Sequence, residues 1–140
     1  MLCPVCRVEM AARTCAGVEV EHCGECGGLW VPVERLDAVC RLADLAAPAL
    51  MAALEESGEG AGLSHKRHCP TCRRMLARVR VAARVEFNVD RCPSRHGLWF
   101  DRGELATVLA AAGAGEHNAL ALFLADLERE RREKRAVPPQ

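Results

Sequence analysis

Residues 23–36 read CGECGGLWVPVERL and residues 92–105 read CPSRHGLWFDRGEL, one phrase repeated at an offset of sixty-nine positions. Each copy is preceded by a second cysteine pair, CPVC at Cys3 and Cys6 and CPTC at Cys69 and Cys72. Two sets of soft metal donors in a repeat mark two similar units. At about seventy residues each, a unit is too small for an apolar core alone, so it needs a staple. No basic and apolar leader stands before Cys3, and the expectation is a cytoplasmic chain whose thiols are reduced and metal-bound. The longest apolar region, residues 36–54, is interrupted by Asp37, Arg41, Asp44 and Pro48, which predicts a soluble protein with no membrane span.

Zinc takes four tetrahedral ligands, and two close cysteine pairs joined by a hairpin supply them. Cys3, Cys6, Cys23 and Cys26 match that scheme, with 16 residues between the pairs. In the second unit Cys69, Cys72 and Cys92 are clear, with 19 residues between Cys72 and Cys92, but Arg95 stands where Cys26 stands in the first. His96, its neighbour, is preferred as fourth ligand over His65 and His68. His68 adjoins Cys69, and adjacent residues rarely reach one tetrahedral ion together. Two zinc ions are therefore expected. Four strong donors leave no open position, which argues against hydrolytic chemistry and for a non-enzymatic protein. No βαβ alternation is present to support a thioredoxin-like use of the CxxC pairs. Of the leftover cysteines, Cys40 falls on an apolar helix face and Cys15 beside a turn.

Hydrophobic periodicity places the other elements. Residues 7–13 and 18–21 read as a short hairpin turning at Gly17. Pro32 suits a helix start, and Leu36, Val39, Cys40, Ala43, Ala47, Leu50 and Leu54 form an apolar stripe that Pro48 should kink. Residues 57–66, rich in glycine, read as a linker. Strands are predicted at 75–81 and 85–90, then a helix from Asp101 with Glu104 at capping-box spacing, ending near Gly113 and Gly115. A last helix from about Glu116 carries Leu120, Phe123, Leu124 and Leu127. Its polar end, through Glu128 and Arg132, reads as a solvated extension, and residues 136–140 should fray.

Formal net charge is zero, but residues 1–66 carry 5 basic and 10 acidic side chains and residues 67–140 carry 14 and 9. With zinc bound the halves become roughly −7 and +4. Only the second half could attract phosphate. Arg78 and Arg80 share parity on one strand beside Arg73 and Arg74, a candidate nucleic-acid contact. The same arginines also read as a solvated face that balances the zinc charge. Trp30 and Trp99, identically placed after each knuckle, read as packing against the metal site and the following helix.

With these residues in place, the chain resembles the TFIIB-type zinc-ribbon family, whose domains read CPxC, a hairpin, then CxxCGGxW and a helix start rich in Asp, Gly, Glu and Leu. CPSRHGLWFDRGEL looks like the variant in which Cys-x3-His replaces the last pair. The resemblance covers about residues 1–38 and 67–107. It implies two zinc ribbons with the ligands named above and a link to transcription or nucleic acid. The first copy departs from the pattern at Val31, Pro32 and Val33, and nothing resembles the helical core domains of the general transcription factor.

The expected architecture is thus small, zinc-stabilised α+β: a ribbon at 1–38, a helical extension at 39–56, a linker at 57–66, a second ribbon at 67–107 and a helical extension at 108–140. The leading function is an adaptor contacting nucleic acid or transcription machinery through Arg73, Arg74, Arg78 and Arg80. One rival is a protein-binding module, or a homo-oligomer, using apolar helix faces at Leu50, Leu54, Phe123 and Leu127. Another is a redox sensor in which oxidation of the first cysteine set ejects zinc.

Overall fold

The structure, a computed structural model, describes residues 1–43, 62–81, 87–111 and 118–136. β1 (Ala11–Cys15) and β2 (Val18–His22) form the first hairpin, with Cys15 opposite Val18. Between them Ala16 and Gly17 have φ of 48° and 85°. That left-handed pair lets a two-residue turn follow the twist of its strands. β3 (Leu29–Pro32) leads into α1 (Val33–Leu42), and Pro32 sits at the N-cap without a side-chain cap bond. Leu36, Val39, Cys40 and Ala43 are buried as the periodicity predicts. Pro48, Leu50 and Leu54 lie outside the described residues.

The second unit contains β4 (Gly62–His68), β5 (Met75–Val81), β6 (Phe87–Arg91) and β7 (Gly97–Phe100), then α2 (Glu104–Ala111) and α3 (Ala119–Ala136). From residue 62 the stretch read as linker is strand, because β4 pairs with β5 through Gly62 opposite Arg78 and Leu63 opposite Ala77. Glu104 accepts a hydrogen bond from the Asp101 N–H at 3.2 Å, one half of the expected capping box. The carboxylate of Asp101 supplies no matching cap, since Trp99 and Arg67 occupy it. At the start of α3 the cap is Asn118, whose Oδ1 accepts from the Ala121 N–H at 2.8 Å.

The seven strands of the described residues form one sheet in the order β1-β2-β3-β7-β6-β5-β4. The two units meet edge to edge at β3 and β7, with Leu29 opposite Phe100, Trp30 opposite Trp99 and Val31 opposite Leu98. These residues correspond across the repeat, so the join has the reciprocal contacts of a two-fold interface built within one chain. Gly28 and Gly97, also equivalent, make the close approach possible. A Cβ on Gly28 would lie 2.1 Å from the Trp99 ring, and one on Gly97 would lie 2.7 Å from the Trp30 ring and 2.6 Å from the Val31 carbonyl oxygen. Each tryptophan thus rests on the glycine of the other unit.

Strand alternation then divides two clusters between opposite faces of the sheet. Leu29, Val31, Leu98 and Phe100 pack with Leu36, Leu105, Leu109, Leu120 and Leu127 under the helices. Trp30 and Trp99 point the other way and pack with Cys3, Cys23, Cys69 and Cys92. The tryptophans therefore serve both cysteine sets and not the following helices, because their strand parity opposes that of the helix-facing residues.

The polar end of α3 is not a free solvated extension. Arg131, with a side chain only 5% exposed, pairs with Glu128 at 2.9 Å, and Glu130 meets Arg13 of β1 at 2.7 Å. The Arg13–Glu130 pair fastens the last helix to the first unit, whereas Arg131–Glu128 lies within the helix. Leu127 is buried in the core and Phe123 packs against it, so the helix face proposed for partners is used internally. No helix among the described residues is long and apolar enough to cross a membrane.

Candidate metal centres

Each CPxC turn is built by the same backbone bonds. Arg7 N–H donates to the Cys3 carbonyl at 2.9 Å and Arg73 N–H to the Cys69 carbonyl at 2.8 Å, while Cys3 and Cys69 donate to the carbonyls of Val8 and Arg74 at 2.8 Å. Arg7 and Arg73 adopt φ of 60° and 64° to close these turns. Backbone N–H groups are thereby aimed at sulfur: Val5 and Cys6 donate to Cys3 Sγ at 3.4 and 3.3 Å, and Thr71 and Cys72 to Cys69 Sγ at 3.3 and 3.5 Å. Such bonds stabilise a thiolate, the form that binds metal.

The turns bring Cys3, Cys6, Cys23 and Cys26 together, with all four sulfurs within 4.8 Å of one another. Cys69, Cys72, Cys92 and His96 form a second such group. Zinc–sulfur bonds of about 2.3 Å in a tetrahedron separate the sulfurs by about 3.8 Å. The Cys3–Cys26 separation is 3.7 Å, Cys72–Cys92 is 3.5 Å, and His96 Nδ1 lies 3.4 Å from Cys92 and 4.0 Å from Cys69. Donor type and spacing fit zinc, and each group could hold one ion.

The second group explains how histidine replaces cysteine one position later. In the first unit Gly27 N–H reaches back to the Cys23 carbonyl and Gly27 takes the left-handed φ of 78°. In the second, Arg95 N–H reaches the Cys92 carbonyl and Arg95 takes φ of 61°, so the turn closes one residue earlier. The next side chain, His96, then faces the sulfurs. His68 is outside the group, and the side chain of His65 is outside the described residues.

Without metal, the thiols in each group share protons unequally. The neighbouring Cys26 thiol brings Cys3 down to about 5, and Cys26 is raised in return. In the second group burial pushes Cys69 up to about 11, while a hydrogen bond from the Arg74 N–H brings Cys72 down to about 7. Each group thus contains a sulfur whose thiolate its neighbours favour, and metal binding requires deprotonated sulfur.

Beside the second group lies a polar network that sequence reading did not anticipate. Asp90, fully buried, accepts from Arg67 at 2.7 Å and from Arg78 at 3.4 Å. Arg67 also reaches Asp101 at 3.0 Å, and Asp101 accepts from Trp99 Nε1 at 3.0 Å. Arg78 approaches Glu104 at 3.9 Å, and burial, followed by the nearby Asp101 charge, pushes Glu104 up to about 7. An acid closing a predicted strand was the available signal, since such a group, when buried, requires a cation.

The candidate phosphate contacts are therefore dispersed. Arg78 is engaged inward, Arg74 donates to Ser94 Oγ at 2.8 Å, and Arg73 is exposed. Arg80 lies in β5 opposite Asn88, and its side chain is outside the described residues. Cys15 is half-buried and donates to the Ala119 carbonyl at 3.6 Å.

A family model described as transcription factor zinc-finger matches residues 2–41 and 68–111, more than half of the chain in two segments. No curated protein and no solved structure matches it.

Proposed function

Because the chain belongs to the transcription factor zinc-finger family, we propose that it is a non-catalytic adaptor whose two zinc ions build a rigid surface for a protein of the transcription machinery. Cys3, Cys6, Cys23 and Cys26 hold one ion, and Cys69, Cys72, Cys92 and His96 hold the other. Each shell is closed by four protein donors, so no position remains for a reacting water. The link to transcription rests on the family, and a cytoplasmic location rests on the reduced thiols.

One observation carries the choice of a protein partner: among the described residues, the large apolar side chains left exposed are aliphatic or methionine, not aromatic. Leu2, Val5 and Val8 are 43%, 42% and 40% exposed on the first knuckle, whereas Trp30 and Trp99 are fully buried and Phe100 nearly so. Bases would find no ring to stack on among these, and the inward pairing of Arg78 removes a central phosphate contact. A second reading, phosphate contact through Arg73 and Arg74, is supported by the exposure of both side chains.

Fluorescence anisotropy of the zinc-loaded protein with labelled single- and double-stranded DNA and RNA across a salt series separates these readings. The adaptor reading expects no saturable binding near physiological salt. Tight binding with a steep salt slope, lost in an Arg73→Ala, Arg74→Ala double variant, would replace it with nucleic-acid recognition.

A further inference from the structure

The two CPxC knuckles do not merely repeat; the sheet brings them to opposite walls of one cleft of about 470 Å³. Leu2, Pro4 and Arg7 line it from the first unit, and His68, Pro70 and Arg73 from the second. Arg7 and Arg73 hold equivalent places, each immediately after the CPxC and each with a left-handed backbone. Both side chains are exposed. Glu9 also lines the cleft and is engaged with the Met1 amino group at 3.0 Å.

The two walls differ in chemistry. Relative to the cysteines, Leu2, Val5 and Val8 of the first knuckle correspond to His68, Thr71 and Arg74 of the second. Within the cleft the first wall presents Met1 and Leu2, both more than 40% exposed, the second presents His68 and Pro70, and an arginine stands on each; Val5 and Val8 are exposed on the same knuckle but outside the lining. Contiguous exposed aliphatic side chains bordered by polar groups mark an interaction surface. Arginine forks match carboxylates by paired, charge-assisted hydrogen bonds.

We propose that this cleft is the docking site for an acidic peptide segment carrying aliphatic or aromatic side chains, supplied by the protein partner. The proposal rests on the adaptor reading and names its site and the chemistry of its partner. Carboxylates of the segment meet Arg7 and Arg73, while its apolar side chains lie on Met1 and Leu2. The site exists only when both ribbons are joined, because each contributes one arginine.

The test is selection of a random dodecapeptide library on the full-length, zinc-loaded protein, followed by affinity measurement of the selected peptides. Arg7→Asn and Arg73→Asn remove charge while keeping a residue type that tolerates the left-handed backbone. Selected peptides are expected to combine Asp or Glu with Leu, Ile or Phe. Each asparagine variant should weaken them roughly tenfold, as loss of one charge-assisted pair implies, and Leu2→Ser should weaken them further. Zinc content should stay at two ions per chain in every variant.

Peptides that bind the variants and the parent equally would overturn the cleft while leaving a protein adaptor in place. Selected peptides that are basic, or no enrichment at all, would also overturn the cleft. Loss of zinc from the asparagine variants would instead assign the arginines to balancing the thiolate charge. Displacement of the peptides by a DNA oligonucleotide, with salt-steep binding of the DNA, would overturn the adaptor reading itself.

Discussion

Around Trp99 the second ribbon places Asp101 as acceptor for the indole N–H and an Arg67–Asp90–Arg78 cluster one strand away; around Trp30 the first ribbon places Pro32 and Glu21. These positions correspond across the repeat. Trp30 Nε1 is buried and has no hydrogen-bond partner among the described residues. Glu21, half-buried with its carboxyl raised by desolvation, has no cation within ion-pair range among those residues. Apart from the added β4, strand pairing corresponds across the β3–β7 join, yet the polar support does not. Metal ligation, strand pairing and the reciprocal glycine–tryptophan contacts suffice to set the shared fold. Side-chain networks are added locally, and they decide what each half loses when a residue is removed.

That difference is broken most strongly at the buried acids. Asp90→Ala should cost about 3–5 kcal/mol, because it leaves two guanidinium groups without their buried counter-charge. Glu21→Ala should cost under about 0.5 kcal/mol, since no pair is lost. Chemical denaturation of the zinc-loaded variants checks both, and equal costs would contradict the asymmetry.

The shared part of the fold is tested next, at the two glycines. Gly28→Ala should destabilise by about 1–3 kcal/mol or more through collision with a tryptophan ring that has no room to move, and Gly97→Ala should do the same by pressing β3 from β7. Gly24→Ala is the control: its added methyl meets nothing within 4 Å. Similar thermal midpoints for all three would contradict the reciprocal seating of glycine on tryptophan.

Giving the first ribbon what the second has should then be favourable. Pro32→Asp offers an acceptor to Trp30 Nε1 and a side-chain cap to α1, and should gain about 1 kcal/mol. Pro32→Ala supplies neither group and should show no such gain.

The smallest effect concerns Glu104. It faces Asp101 and Asp90, which raise it, and Arg78 and the Asp101 N–H, which lower it, with burial the largest influence. An acid raised from 4.5 to about 7 keeps its proton in the folded state where the unfolded chain has lost it. Its stabilising contribution is therefore full at low pH and declines as pH rises toward about 7. Glu104→Gln keeps an acceptor for the cap but cannot ionise. Over about pH 6 to 8 it should flatten the stability profile by under about 1 kcal/mol, measured by denaturation at fixed zinc.

Much of this molecule is legible in its sequence because cysteine spacing and strand parity are local. The two donor sets, the Gly17 turn, the stripe Leu36, Val39, Cys40 and Ala43, and the shift from Arg95 to His96 all follow from short-range pattern. The join of β3 to β7 does not, since it depends on pairing between segments far apart in the chain. Parity places Arg78 on one face without saying that the face is covered, and Asp90 reveals that only once the strands are ordered. Asp101 has a capping residue's spacing, but a buried indole and a guanidinium take its carboxylate. Arg131 sits in a wholly polar stretch and is buried because the helix docks on the first unit, where its Nε lies 3.2 Å from a Cβ built on Gly27.

The two ribbons are one body, joined at β3–β7 and held by a zinc centre on each side. Amide hydrogen exchange of the Cys3→Ser, Cys6→Ser variant, which disables the first centre alone, tests this most directly. If the claim holds, β7 (Gly97–Phe100) loses protection along with the first ribbon while β5 and β6 keep theirs. Unchanged protection of β7 would contradict it and make the ribbons two independent modules.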